Sequence, residues 1–195
     1  MSREEGELQE LLGQISANQP SHVRFISKVL IREVKKNGNY QTGEQLFDHL
    51  IKTLKEKKVS RPTYVYSEME ISAFQRSIAT LVRYAPTAEK ARYMFNLTLR
   101  EYQLPLRTVA LELILLNNLL FVHSQFNEMK DALTIIETAL EIGAFQLDPR
   151  NYYDKYDNAK FSDPLQVFET LSGKVLRHYR LEFNEDKTAL KRITK

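Results

Sequence analysis

The apolar residues of the chain recur every three or four positions, which is the spacing of amphipathic α-helices. This spacing predicts three pairs of consecutive helices and one final helix: 21–36 with 42–57, 67–84 with 87–102, 106–123 with 127–142, and 163–180. Because the loops within each pair are short, the two helices of a pair are expected to pack antiparallel. No Asn-Gly or Asp-Gly turn lies between alternating apolar runs, so no β-hairpin is predicted. The charged last dozen residues are expected to fray.

Residues at the predicted helix boundaries support this division. Capping-box spacing predicts helix starts at Thr42, followed by Gln45, and at Ser67, followed by Glu70. Other predicted starts carry a capping side chain or a proline in the first turn: Thr87, Asn127 and Asp163-Pro164. Helix ends are predicted at Asn37-Gly38 and at Gly143, because glycine accepts the left-handed conformation that follows many helices.

The predicted helices divide a single domain into four regions. Residues 1–20 form an acidic amphipathic segment, 21–145 a helical-hairpin domain, 146–161 a polar tyrosine-rich loop, and 162–195 a C-terminal helix with a charged tail. With 195 residues, of which 43% are hydrophobic, the chain can bury a sizeable core. No apolar run approaches the length of a membrane span, so no membrane insertion is expected.

The second helices of the later two pairs have similar sequences. Residues 88–95 (AEKARYMF) align with residues 129–136 (MKDALTII). Both contain a small residue, Ala91 or Ala132, where a neighbouring helix can approach closely, and each helix is followed by a short break and a proline. A period of roughly 35 to 48 residues with two helices per unit is typical of helical solenoids.

At these positions the chain resembles a degenerate pentatricopeptide (PPR) or tetratricopeptide repeat protein. The resemblance covers residues 67–149 closely and 21–62 loosely. It implies an all-α fold, a right-handed α-solenoid-like array of about three antiparallel helical hairpins with capping helices. It also implies an RNA-associated role in organellar transcript maturation, stability or translation. Leu111 stands where the pentatricopeptide family carries a polar base-reading residue, so no base-by-base code is carried over.

Composition argues against several classes of enzyme chemistry. The chain has no cysteine, which rules out disulfides, thiolate nucleophiles and cysteine-bound zinc. The six glycines form no phosphate-binding loop, and the four histidines lack the spacing of metal ligands. We therefore expect no enzymatic activity, no catalytic residue, no bound metal and no small-molecule cofactor.

Basic residues are concentrated in the two flanks of the chain. Residues 21–62 carry ten basic and four acidic side chains, whereas residues 63–149 carry seven basic and ten acidic ones. The basic residues that could contact RNA phosphates or an acidic partner are Arg24, Lys28, Arg32, Lys35, Lys36, Lys52, Lys55, Lys174, Arg177 and Arg180. A solvated outer face explains the same residues without any ligand, and the sequence does not decide between the two interpretations.

Two functions are consistent with these patterns. The first is a non-enzymatic scaffold that binds RNA or a ribonucleoprotein, since Tyr179 among the basic residues of the last helix suits a single-stranded nucleic acid. The second is a protein–protein adaptor without a nucleic-acid role, indicated by the acidic middle of the chain and by its ten tyrosines. A protein partner is expected. The resemblance implies the mitochondrial matrix if a presequence is missing, and the cytoplasm otherwise.

Overall fold

The structure is a computed structural model that describes residues 22–101, 109–146 and 164–194, together with Gly6, Glu10 and Gly13. Seven helices make up most of this part of the chain: α1 (His22–Lys35), α2 (Tyr40–Ser60), α3 (Glu68–Arg83), α4 (Ala88–Glu101), α5 (Val109–Gln125), α6 (Met129–Glu141) and α7 (Pro164–Tyr179). A 3₁₀ turn (Ala144–Gln146) follows α6, and two short antiparallel strands, β1 (Leu181–Phe183) and β2 (Leu190–Arg192), follow α7. The described fold is therefore mainly α-helical, as the sequence predicts. None of these helices combines the length and the apolar character that crossing a bilayer requires.

Two predicted regions, the acidic segment 1–20 and the polar loop 146–161, lie almost entirely outside the described residues. The apolar stripe predicted for the first helix is buried in α1: Val23, Ile26, Leu30 and Val34 are each less than 5% exposed. The chain turns after α1 at Gly38, whose φ of +67° lies in the left-handed region that glycine favours. At the start of α4, Thr87 Oγ1 accepts a hydrogen bond from Lys90 N at 3.1 Å, which confirms the predicted cap.

The predicted capping box of α3 is present in full. Ser67 Oγ accepts a hydrogen bond from Glu70 N at 3.3 Å, and the Glu70 carboxylate accepts one from the Ser67 backbone N–H at 2.9 Å. Lys57 Nζ and the Tyr64 hydroxyl also donate to the Glu70 carboxylate. A buried acid therefore joins the end of α2 to the start of α3.

We expect Glu70→Gln to lower the free energy of unfolding by about 1–3 kcal/mol near neutral pH, because it weakens hydrogen bonds to a charged group. Burial by itself raises the pKa of Glu70, but the hydrogen bonds from Lys57, Ser67 and Tyr64 outweigh burial and hold this pKa below 4.5. A carboxyl group whose pKa is lowered by folding contributes stability at pH values above its pKa in the unfolded chain. This stability is lost as the pH falls through its pKa in the folded protein. Urea denaturation should therefore show a difference between the two proteins that shrinks on acidification. A difference that is independent of pH would contradict this role.

Two predicted caps are wrong. The second helix begins at Tyr40 and not at Thr42, because Asn39 is the N-cap and its side chain accepts from Thr42 N at 3.2 Å. Asparagine is among the strongest N-caps, so it starts the helix ahead of the weaker Thr42. Asn127 does not cap α6; Glu128 occupies the N-cap position, and Asn127 has φ +59°. Asparagine tolerates the left-handed conformation, and this is its role in the turn between α5 and α6.

The C-terminal residues form a β-hairpin, contrary to the prediction that they fray. The side chain of Asn184 organises the turn, since its Oδ1 accepts hydrogen bonds from the amides of Thr188 and Ala189. Lys187 takes the left-handed position with φ +53°. The rule based on Asn-Gly and Asp-Gly describes two-residue turns and misses this longer turn, in which an asparagine side chain supplies the hydrogen bonds.

Phe145, in the 3₁₀ turn after α6, holds this hairpin against α7. Its ring centroid lies 5.1 Å from that of Phe183 in β1 and 6.0 Å from that of Phe168 in α7, both in edge-on geometry. Such aromatic pairs stabilise the fold by more than the burial of their apolar area alone would. Lys187 in the hairpin turn also pairs with Glu169 of α7 at 2.6 Å. The predicted charged tail is therefore folded onto α7.

The helices pack in a regular succession. The first helix of each predicted pair contacts its own partner and the next first helix: α1 contacts α2 and α3, α3 contacts α4 and α5, and α5 contacts α6 and α7. Each even-numbered helix also contacts the odd-numbered helix that follows it. The hydrophobic core runs through these contacts, and its largest fully buried side chains include Phe47, Phe74, Phe168, Leu30 and Leu50.

Candidate nucleic-acid interface

The odd-numbered helices α1 and α3 run parallel. Near the middle of α1, Ser27 Oγ donates a hydrogen bond to the carbonyl oxygen of Ala73 in α3 at 3.0 Å. At the end of α1, Lys35 Nζ lies 5.8 Å from the ring centroid of Tyr84, which follows α3. The contact that lies later in α1 also lies later in α3, so the two helices are parallel and end on the same side of the molecule.

The next odd-numbered helix, α5, is parallel to α3 on the same evidence. Asn118 Nδ2 of α5 donates to the carbonyl oxygen of Ala79 in α3 at 3.0 Å. One turn further along both helices, the guanidinium of Arg83 lies 3.2 Å from the ring centroid of Phe121. A guanidinium stacked on an aromatic ring is a favourable contact, and here it joins two successive hairpins.

The last helix, α7, continues the parallel row. Its Phe168 lies beside Phe145, which follows the end of α6. Further along α7, Lys174 Nζ donates to the carbonyl oxygen of Ser124 at 3.2 Å, near the end of α5. Because α6 runs back along α5 after a short turn, the ends of α6 and α5 lie on opposite sides. The direction from Phe168 to Lys174 is therefore the direction of α5.

The parallel row brings the C-terminal ends of the odd-numbered helices to one edge of the molecule. An exposed aromatic side chain stands at the end of three of them: Tyr84, Phe126 and Tyr179 are 44%, 49% and 37% exposed. The end of α1 carries two exposed lysines instead. The residues that define this surface, called here the aromatic edge, are Lys35, Lys36, Tyr84, Phe126, Arg177, Tyr179 and Arg180.

All ten basic residues predicted from the sequence are exposed, but they do not form one surface. Four of them lie on the aromatic edge: Lys35, Lys36, Arg177 and Arg180. Five others lie elsewhere: Arg24, Lys28 and Arg32 earlier on α1, and Lys52 and Lys55 on the second half of α2. Lys174 of α7 lies near the end of α5, where its Nζ donates to the carbonyl oxygen of Ser124. Because Gly43 near the start of α2 meets Val34 near the end of α1, α2 runs back along α1. Lys52 and Lys55 therefore lie toward the opposite edge.

The sequence by itself does not identify Tyr84 and Phe126 as surface residues of interest. Each directly follows the last residue of an odd-numbered helix, α3 or α5. The only signal for them in the sequence is that three successive odd-numbered helices each end at an aromatic residue. This signal indicates a surface only once the helices are known to be parallel.

A buried histidine lies at the same end of α5. The side chain of His123 is 0% exposed, and its Nδ1 lies 2.7 Å from Oε2 of Glu128. Burial lowers the pKa of His123, and the contact with Glu128 offsets this only in part. His123, Glu128 and Asp131 each bring a ligand-type atom within 4.8 Å of the others. Since Asp131 is paired with Arg92 at 3.4 Å, a guanidinium already supplies the positive charge, and we interpret the group as a hydrogen-bonded network.

No family model, no curated protein and no solved structure matches this chain. The pentatricopeptide resemblance therefore stays a prediction. The packing of the helices and the residues of the aromatic edge are therefore the observations from which a function can be proposed.

Proposed function

We propose that this chain is a non-enzymatic helical-repeat scaffold that binds RNA, or a ribonucleoprotein, along the aromatic edge. In this proposal α1–α2, α3–α4 and α5–α6 are three stacked hairpins of a right-handed α-solenoid-like array, and α7 with the β-hairpin covers one end. The observation that supports RNA most directly is the aromatic edge, where three exposed aromatic side chains share successive helix ends with the cations of α1 and α7.

A small residue at the same place in each even-numbered helix supports the stacked hairpins. Gly43, Ala91 and Ala132 are the fourth residues of α2, α4 and α6, and all three are buried. A Cβ atom on Gly43 would collide with the side chain of Val34 in α1. A residue with little or no side chain lets another helix come close, and a buried small residue recurs at this position in every hairpin.

Ion pairs between successive even-numbered helices also repeat at matching positions. Glu44, the fifth residue of α2, pairs with Lys90, the third residue of α4, at 2.6 Å. Arg92, the fifth residue of α4, pairs with Asp131, the third residue of α6, at 3.4 Å. Partly exposed pairs of this kind add little stability. Their repetition supports hairpins that are related by a common step.

The chemistry of the aromatic edge suits a nucleic acid. Stacking of a base on an aromatic side chain is worth about 1–3 kcal/mol, and each cation near a phosphate adds affinity through counterion release. Both kinds of group stand together here, since Lys35 lies 5.8 Å from the Tyr84 ring centroid, and Arg177 and Arg180 lie close to Tyr179 along the chain. The organellar role in transcript maturation, stability or translation is proposed from the pentatricopeptide resemblance.

A protein–protein adaptor is the second candidate, and a different surface favours it. Val59, in the last turn of α2, and Val65, in the connection to α3, are 80% and 79% exposed. Protein-binding sites typically carry exposed apolar side chains that are close together, and these two lie six residues apart in the sequence. This alternative predicts that a stoichiometric protein partner is recovered even after nuclease treatment and that it is lost when Val59 and Val65 are replaced by serine.

The RNA proposal predicts that labelled RNA of mixed sequence binds the full chain at low salt and dissociates as salt rises. Lys35→Glu with Lys36→Glu is expected to weaken binding at least tenfold and to reduce the salt slope by about 1.4, at roughly 0.7 per lost phosphate contact. Fluorescence anisotropy at several salt concentrations measures both quantities.

The matched control for this experiment is Lys52→Glu with Lys55→Glu. It makes the same change in charge on α2, away from the aromatic edge, and should weaken binding less. The RNA proposal is rejected if the unaltered chain does not bind at about 50 mM salt, a concentration at which phosphate contacts are strong. Equal losses in the two variants would reject the aromatic edge as the site.

A further inference from the structure

The turn between α5 and α6 is closed by bonds that converge on two residues. The amide of Glu128 donates to the carbonyl oxygen of His123 at 2.9 Å, and the side chains of the same residues meet at 2.7 Å. Asn127 supplies the left-handed conformation between them. Lys174 of α7 also donates to the carbonyl oxygen of Ser124 at 3.2 Å. The imidazole–carboxylate contact is thus a side-chain bond between the two ends of the turn.

The surroundings of the His123 ring suit a neutral imidazole. The side chain is fully buried, and Nε2 has no hydrogen-bond partner among the described residues. With its single proton on Nδ1, assigned here from the contact with Glu128, the ring donates to the carboxylate and leaves only a lone pair on Nε2. A second proton would place an N–H group in the interior without an acceptor. Burial of an unsatisfied polar group is unfavourable, and more so when the group is charged.

We propose that this turn opens at acidic pH, because His123 leaves its buried site when its ring takes up a second proton. Opening breaks the contact with Glu128 and exposes the buried residues His123 and Ser124 to water. Phe126 belongs to the same turn, so the centre of the aromatic edge changes with pH. The opening is a property of the turn and does not depend on whether the edge binds RNA.

Burial determines the direction of the pKa shift of His123, and charged groups on the surrounding helices modify its size. Glu128 and Asp131, at the start of α6, favour the protonated ring, whereas Arg92 of α4 disfavours it. Lys174 of α7 is a further cation that contacts the neighbouring residue, Ser124. Burial is the largest influence and lowers the pKa of His123 below 6.5. A histidine whose pKa is lowered by folding stabilises the closed turn at pH values above its pKa in the unfolded chain. This stability is lost as the pH falls through its pKa in the folded protein.

Amide hydrogen exchange of the full chain without RNA tests this opening. After correction for intrinsic exchange rates, opening of residues 122–128 is expected to increase by up to about tenfold per pH unit between the unfolded and folded pKa values, since one proton is taken up. Peptides from α1 and α2 report the stability of the rest of the chain and should change less over the same range. His123→Gln removes the titrating group and should remove the additional exchange of the turn.

The matched control is His178→Gln, since His178 is exposed on α7 and its loss should leave the pH dependence of the turn unchanged. NMR titration of the His123 ring in the unaltered chain provides a measurement that needs no variant to fold, and its midpoint should lie below 6.5. A midpoint at or above 6.5 would overturn the proposal. The same acid-dependent exchange in His123→Gln would also overturn it.

Discussion

Replacing Phe74 by alanine is expected to lower the free energy of unfolding by about 3–5 kcal/mol, the usual cost of deleting a buried aromatic ring. Phe74 of α3 is 0% exposed, and its ring centroid lies 5.9 Å from that of Phe47 in α2. The substitution leaves a cavity where the first hairpin meets the second, and the surrounding helices collapse into it only in part. For a chain of this size the loss corresponds to a fall in Tm of roughly 6–20 °C.

Urea denaturation followed by circular dichroism measures this change, and Phe126→Ala is the matched control. Phe126 is half exposed at the end of α5, so removal of the same ring there should change the free energy of unfolding by less than about 1 kcal/mol. If the two substitutions cost the same, Phe74 does not occupy the buried position described for it.

Gly43→Ala is expected to destabilise the chain by about 1–3 kcal/mol, although alanine is the better helix former. Gly43 is buried in α2, and an added Cβ atom would overlap the side chain of Val34 in α1. Valine has essentially one favoured rotamer in a helix, so Val34 cannot turn away and the two helices must move apart. Loss of this close approach disturbs the packing of the first hairpin.

Gly173→Ala in α7 makes the same substitution at a helical glycine with room for a Cβ atom. The added Cβ atom would lie 3.5 Å from Nη1 of Arg177, the flexible end of a long side chain. We expect this variant to gain about 0.5–1 kcal/mol, because alanine replaces glycine within a helix without overlap. Urea denaturation of the two variants should give changes of opposite sign. A stabilised Gly43→Ala variant would show that α1 and α2 are not in close contact.

The helices could be predicted from the sequence because their signals are local. The capping box of Ser67 with Glu70 and the cap at Thr87 each involve residues within one turn of helix. The predicted helix ends at Gly38 and Gly143 are confirmed by the left-handed conformation of both residues. Such signals fix where helices begin and end, and they leave open how the helices pack.

The C-terminal β-hairpin could not be predicted in the same way. Its strands have three residues each, too few for the alternation of apolar and polar residues to stand out. Phe145 fixes its position by contact with Phe183, and these residues are far apart in the sequence. Tertiary contact therefore decides a structure that local propensity leaves undetermined.

The aromatic edge depends on tertiary structure to an even greater degree. Tyr84, Phe126 and Tyr179 are distant in the sequence, and they reach one edge because the odd-numbered helices run parallel. Contacts such as that between Ser27 and Ala73 establish this direction. The sequence could identify the basic residues as a class, but it could not show which of them share a surface.

The ion pairs between even-numbered helices favour the present order of the hairpins. The fifth position is acidic in α2 and basic in α4, whereas the third position is basic in α4 and acidic in α6. If the middle hairpin were removed and the flanking ones were joined, Glu44 would face Asp131, and like charges at close range repel. The three hairpins are therefore not equivalent at this junction. A shortened version of this protein would exchange a weak attraction for a weak repulsion there, and a reversal of charge at one of these two positions would restore the attraction.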